Sequence, residues 1–165
     1  MPRHDSPDSI EIRNGIVNDV PEAARLFDDY RQFYGRSSDV AAARRFLEDR
    51  MSRNESTILL AIATETVDGA SETVVGFAQL YPSFSSLSLR PAWILNDLFI
   101  VPGYRGRGVG RRLVEASAAE AFRAGAVSLA LETEVTNATA LAFYESMGFV
   151  RDNGFLHLTL SAESQ

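Results

Sequence analysis

Leu98-Phe99-Ile100-Val101-Pro102-Gly103-Tyr104-Arg105-Gly106-Arg107-Gly108-Val109-Gly110-Arg111-Arg112-Leu113 is the stretch from which the rest of the chain can be read. Its first four residues form an apolar run of strand type, and helical spacing takes over from Leu113 to Ala124. A strand, a glycine-rich turn and a helix start leave backbone N–H groups without intrahelical partners. Together with the helix dipole, such groups bind anions, phosphate above all. Four arginines (Arg105, Arg107, Arg111 and Arg112) stand within eight residues here, in a chain whose formal net charge is -6 at pH 7. A positive turn on an acidic protein points to a phosphate-bearing partner.

The composition bounds the class. A chain of 165 residues is long enough for one domain with a real core, and 45% hydrophobic with 23% charged residues is ordinary for a soluble globular protein. The absence of cysteine excludes disulfides, thiolate metal sites and a cysteine nucleophile. Residues 1–9 have no apolar core of a signal peptide and read as a disordered arm before a single domain spanning 10–165. No apolar run approaches the roughly 18 residues that span a bilayer. The expected location is the cytoplasm. A pI near 4.9 speaks against nucleic acid as a general partner and favours cationic small molecules.

Periodicity orders the elements. Residues 10–13 alternate as a strand, and Asn18-Asp19 with Pro21 open a helix whose stripe is Val20, Ala23, Phe27, Tyr30 and Tyr34. Ser38 or Asp39 opens a second helix with Ala43, Phe46, Leu47 and Met51 on one face. Strands are expected at 58–63 and 73–81, joined through a turn at Asp68-Gly69. The serine-rich stretch from Pro82 to Arg90 reads as a surface loop. A strand over 93–101 follows, interrupted by Asn96-Asp97, then the glycine turn and its helix, a strand over 128–134, a helix capped by Thr136 or Asn137 and running to Met147, and a closing strand over 155–160. The fold class is α/β (α+β), with a central mixed twisted sheet flanked by helices.

The turn fits neither a P-loop, which needs G-x-x-x-x-G-K-[ST], nor a dinucleotide fingerprint, because Arg111 or Leu113 falls where the last glycine belongs. It does fit Arg-x-x-Gly-x-Gly, with Arg105, Gly108 and Gly110 directly after Leu98–Pro102. Farther on come Leu129-Ala130-Leu131-Glu132-Thr133 and Asn137-Ala138-Thr139-Ala140-Leu141-Ala142-Phe143-Tyr144-Glu145-Ser146-Met147-Gly148-Phe149. In that order and spacing, these segments resemble the GNAT superfamily of acetyl-CoA-dependent N-acetyltransferases. The resemblance is diagnostic over about residues 93–150, and the earlier elements fit the order of the fold.

The resemblance implies acetyl-CoA as co-substrate, with no metal. Its pyrophosphate would lie on backbone donors from Arg105, Gly106, Arg107, Gly108, Val109, Gly110 and Arg111, where glycine lets the backbone come close. Main-chain groups of Leu98, Phe99 and Ile100 would meet the acetyl carbonyl and pantetheine amides. It also implies that Asn137 contacts the pantetheine arm, and that Tyr144 hydrogen-bonds the CoA sulfur and protonates the departing thiolate. Both residues have plainer readings. Asn137 caps a helix, and Tyr144 lies on a core stripe with Ala140 and Met147.

With no cysteine and no G-x-S-x-G elbow, direct attack by the amine in a ternary complex is expected rather than an acyl-enzyme. An alkylamine, with a pKa near ~10.4, must lose a proton first. Asp97 is the first candidate base and Glu132 the second. Each is equally readable as a water holder, an anchor for a cationic acceptor, or a structural carboxylate at a bulge. If no bulge intervenes, Leu95, Asp97 and Phe99 share a face. Phe33, Tyr34, Tyr81, Asn96 and Asp97 are the candidate acceptor contacts. His4 falls in the arm, and His157 reads as a structural strand residue.

The strand Trp93–Ile100 followed by Tyr104-Arg105-Gly106 looks closest to the spermidine/spermine (diamine) acetyltransferase branch, although that branch tends to carry a pair of acids where this chain has Asn96-Asp97. The expected acceptor is a small cationic primary amine, polyamine- or amino-acid-like. Protein lysine or N-terminal acetylation is an alternative, and a non-catalytic acyl-CoA sensor is one of another class. A homodimer is expected, with no nucleic-acid or membrane partner.

Overall fold

The computed structural model describes residues 9–65 and 71–162, which fall into two compact units divided after Glu132. The first holds β1 (Ser9–Asn14), α1 (Val20–Phe33), α2 (Val40–Ser52), β2 (Thr57–Glu65), β3 (Ser71–Ser85), β4 (Arg90–Ile100), α3 (Val109–Arg123) and β5 (Leu129–Ala130). Short 3-10 turns precede α1 (Val17–Asp19) and follow β4 (Pro102–Tyr104). The second unit holds α4 (Ala138–Glu145).

The sheet runs β1-β2-β3-β4-β5, antiparallel except for β5, which lies parallel to β4. A parallel pair needs a crossover, and α3 supplies it. On one face, Val20, Ala23, Ala24 and Phe27 of α1 with Ala43 and Leu47 of α2 pack against Ile58, Leu60, Ile62, Phe77 and Phe99. Gly76 and Ile100, one residue out of step with Phe77 and Phe99, turn to the other face. There a Cβ on Gly76 would come within 3.4 Å of Leu113 in α3, so α3 covers that side. Coverage of both faces explains the run from Ile58 to Ala63, in which every residue is buried.

Asp19 occupies the N-cap position of α1, but its carboxylate does not cap that helix. It accepts from both Arg13 guanidinium nitrogens at 2.8 Å and from the Ile16 N–H at 2.7 Å, tying β1 to the turn. Asp39 caps α2, accepting from the Ala42 N–H at 2.9 Å.

Several sequence expectations need correction. Ser9 begins β1 rather than ending an arm, while residues 1–8 and the Asp68-Gly69 turn lie outside the described residues. Pro82–Arg90 is no loop: β3 continues to Ser85 and β4 starts at Arg90, with Pro82 opposite Trp93 and Pro91 opposite Phe84. The β2 ladder stops at Leu80, so beyond it β3 is an edge, where the missing proline N–H costs no sheet bond. The strand expected over 128–134 is only Leu129–Ala130, because its pairing with β4 ends at Ile94, just short of an irregularity described below. Residues 155–160 form no strand. Phe155, Leu156, Leu158 and Leu160 are 84–99% exposed, and the described residues of the second unit contain no strand whose ladder they could join. His157 lies in no strand and is exposed. Tyr34 is exposed rather than part of the α1 stripe, and α4 ends at Glu145.

One buried carboxylate sets the α1–α2 connection. Asp28, 1% exposed, accepts from Arg31 Nη1 (3.1 Å), Gln32 Nε2 (3.0 Å), Ser38 Oγ (2.7 Å) and the Asp39 N–H (2.8 Å). Burial alone would raise its pKa, but the Ser38 and Asp39 hydrogen bonds and the Arg31 charge outweigh burial and hold it below the usual aspartate value. Its stabilising contribution is therefore complete above the ordinary aspartate pKa, and it fades as pH falls through the lower folded value. Asp28→Ala is expected to cost about 3 kcal/mol in denaturant unfolding at neutral pH, since four donors lose a buried acceptor. The difference from wild type should shrink in acid. A pH-independent loss below about 1 kcal/mol would contradict this assignment.

Candidate active site

The polar interruption in β4 is a bulge. Leu80 pairs with Leu95 and Gln79 with Asp97, leaving Asn96 as the extra residue. Directly opposed residues share a face, and Gln79 and Leu80 point to opposite ones. Asp97 therefore joins Gln79, Phe77 and Phe99 on the α1–α2 face, whereas Leu95 goes with Leu80 to the other. This corrects the expectation that Leu95 shares a face with Asp97, because the inserted residue inverts the alternation.

Asp97 is 5% exposed and accepts from Gln79 Nε2 at 2.6 Å and from Asn96 Nδ2 at 3.2 Å. Gln79, fully buried, also donates from Nε2 to the Tyr81 hydroxyl at 3.0 Å, while its Oε1 has no hydrogen-bond partner among the described residues. Burial and then the Asp97 charge push the Tyr81 phenol up to about 12 against an opposing pull from Arg50, so it stays protonated at working pH. Gln79 was not singled out from sequence, although a glutamine between Ala78 and Leu80 in an apolar run was a visible signal.

This network opens into a cavity of about 500 Å³ bounded by Tyr81, Asn96 and Asp97 on the sheet side, by Phe27, Tyr30 and Phe46 from the helices, and by Arg31, Tyr34 and Arg36 where α1 gives way to α2. A second hollow of about 210 Å³ is lined by Tyr30, Phe33, Tyr34, Leu98, Phe99, Ile100 and Arg105. The structure thus brings Tyr34, Tyr81, Asn96 and Asp97 together, and it places Phe33 in the adjoining hollow beside Leu98–Ile100. Glu132 is not with them. It is exposed, lies beyond β5 and lines neither space. Arg36 has no signal in the sequence, because nothing local marks an arginine just past a helix end as a cavity residue.

Beside the hollow, β5 pairs only with Trp93 and Ile94, so the β4 edge from Leu95 to Ile100 lies beyond that parallel ladder. Arg105 closes the edge, donating from Nε to the Ile100 carbonyl at 2.8 Å with its guanidinium 5.6 Å from the Phe99 ring. The chain then turns through Gly106 (φ 73°) and Gly108 (φ 80°) into α3. The N–H groups of Gly106, Gly108, Val109 and Gly110 donate to no acceptor among the described residues, and the Arg112 N–H bonds to the Gly108 carbonyl at 3.1 Å. A Cβ at Gly106 or Gly108 would meet nothing within 4 Å. The turn offers successive donors at a helix N-terminus with open space before them, which fits a phosphate group.

In the second unit, Asn137 Oδ1 accepts from the Ala140 N–H at 3.0 Å, so it is the cap of α4. Tyr144 is half-buried, its ring 5.1 Å from Phe143 and 5.6 Å from Phe149.

A mixed sheet covered on both faces, with a bulged inner strand leading into a helix start whose N–H groups face open space, has the architecture of an acyl-transferring α/β enzyme. Residues 23–149 match the Acetyltransferase (GNAT) family, and the chain belongs to it. A Bacillus subtilis relative, the N-acetyltransferase YhfO, is 40% identical over 156 residues, covering 94% of this chain and 100% of its own. A probable acetyltransferase of known structure superposes with a TM-score of 0.83 at 37% identity, covering 94% of this chain and 99% of that one. An aminoglycoside N-acetyltransferase solved with CoA shares the fold (TM-score 0.75, 18% identity, 96% and 99% coverage). The protein is an acetyltransferase, and as in its family the acetyl donor is acetyl-CoA.

Proposed function

We propose that this enzyme acetylates a primary amine of a small polyamine- or amino-acid-like acceptor, which enters the cavity above Asp97 and attacks the thioester directly in a ternary complex. The observation that carries the reading is the buried carboxylate of Asp97 at the end of an aromatic-walled cavity, on the strand that leads into the glycine turn. Backbone donors of the turn between Arg105 and Arg111 hold the pyrophosphate, and the open β4 edge at Leu98–Ile100 meets the amides of the pantetheine arm. Asn137 contacts that arm as well as capping α4.

Acetyl-CoA supplies an acetyl group activated as a thioester. Asp97 takes one proton from the incoming ammonium, directly or through water, and passes it to solvent. The nitrogen then forms the C–N bond as the C–S bond breaks, and it sheds its second proton. Tyr144 donates its phenolic proton to the leaving thiolate and is restored by that second proton through water. One amide, one thiol and one released proton balance the reaction.

Thiol release measured against both substrates tests this. Intersecting initial-velocity lines with a small amine are expected, and an acetyl-enzyme burst without acceptor would exclude direct attack. The turn has its own test. Gly108→Val introduces a β-branched residue at φ 80° and a side chain where phosphate approaches. The expected result is a roughly ten-fold or larger rise in KM for acetyl-CoA, from left-handed strain of about 1–2 kcal/mol plus lost contact. An unchanged KM would remove the phosphate from the turn.

A further inference from the structure

The acceptor cavity carries a charge pattern that a polyamine does not match. Of the residues lining it, only Asp97 is acidic, and two, Arg31 and Arg36, are cationic. A chain of several ammonium groups would find one carboxylate there and two guanidinium groups. Arg31 is already held by the buried Asp28 at 3.1 Å. The Arg36 side chain, by contrast, has neither an ion pair nor a hydrogen bond among the described residues, and it is exposed at the mouth of the cavity.

The backbone of Arg36 is nevertheless fixed. Its N–H bonds to the Arg31 carbonyl at 3.0 Å and the Gly35 N–H to the Gln32 carbonyl at 2.9 Å, the paired closure of a Schellman motif. Two residues on, Ser38 and Asp39 are both tied to Asp28. A guanidinium carried on an anchored backbone, with no internal anion, is available to an external one. Carboxylate is the group that its planar fork receives in two parallel hydrogen bonds.

We propose that the acceptor carries a carboxylate as well as the reacting amine, the carboxylate held by Arg36 at the cavity mouth and the amine facing Asp97. The substrate class is thus a zwitterionic, amino-acid-like amine. Its aliphatic part lies against the aromatic walls formed by Phe27, Tyr30 and Tyr81. This rests on the reading of the cavity as the acceptor site.

Matched amines decide it. Thiol release is compared for 5-aminopentanoate against pentylamine and for lysine against cadaverine, and calorimetry measures binding of the same compounds to the CoA-loaded protein. For the wild type, the carboxylate-bearing member of each pair is expected to have at least a ten-fold advantage in kcat/KM and to bind more tightly. In Arg36→Ala that ratio falls towards one, and in Arg36→Glu it inverts in favour of cadaverine. Thermal unfolding of both variants near the wild-type temperature is expected, since the side chain makes no internal bond. A wild-type preference for the plain amines, or a preference for carboxylates that both variants keep, overturns the carboxylate site while leaving acetyl transfer intact. Should no amine release thiol, the proposed activity on small amines fails, and calorimetry alone decides this point. Carboxylate-selective binding that Arg36→Ala loses upholds it, and equal or absent binding overturns it.

Discussion

Asp97→Asn is expected to lower kcat/KM for the acceptor by roughly 10²–10⁴-fold, the range for a positioned proton acceptor, and to leave KM for acetyl-CoA within a few-fold. The substitution keeps size and shape at a site that is 5% exposed, so packing on the α1–α2 face persists. What changes is the hydrogen-bond pattern. Gln79 Nε2, now 2.6 Å from a carboxylate oxygen, would face an amide that presents one acceptor instead of two. The stability cost is expected to be about 1–2 kcal/mol, too small to explain the kinetic loss. The split between the two kinetic constants separates the roles. A collapse of kcat at saturating amine marks proton removal, whereas a rise confined to the acceptor KM marks an anchor for the ammonium. Activity within three-fold of wild type would leave Asp97 as a structural carboxylate at the bulge.

Tyr144→Phe is expected to reduce kcat by about 10²-fold or more, with acetyl-CoA affinity little altered. Phenylalanine removes only the hydroxyl and preserves the ring contacts with Phe143 and Phe149, so α4 and the turn after it should fold as before. If the phenol serves the leaving thiolate, acceptors that differ in amine basicity should suffer the same proportional loss in the variant. Unchanged turnover would return Tyr144 to a packing role alone.

The parts of this fold that were legible in the sequence are those set by local constraint. The turn at Gly106 and Gly108 needs left-handed backbone and a helix start, both visible in the spacing of glycines before Leu113. The stripe Val20, Ala23 and Phe27 follows from helical period alone. Pairing decisions were less legible. Pro82 and Pro91 argued for a loop by composition, yet they sit in strands because the β2 ladder has already ended at Leu80. At the site, Asp97 stood out as a charge in an apolar strand, but its face depended on cross-strand register. Gln79 meets Asp97 only by lying opposite it, and Arg36 reaches the cavity only by the way α1 terminates. Glu132 was plausible from the neighbouring strand, but that strand stops at Ala130 and Glu132 lines neither space.

The single extra residue at Asn96 has a consequence for how this family member tolerates change. Because the bulge takes it out of the ladder, Asp97 stays opposite Gln79; an unbulged β4 would pair Asn96 with Gln79 and set Asp97 opposite Ala78. Substitutions near this point trade one cavity lining for another. Loss of Asn96 would close the bulge and leave a regular ladder in which Leu95 still faces Leu80 and Asp97 still faces Gln79. Closing the bulge by deletion is therefore compatible with the register, whereas drawing Asn96 into the ladder would carry the carboxylate to the α3 face.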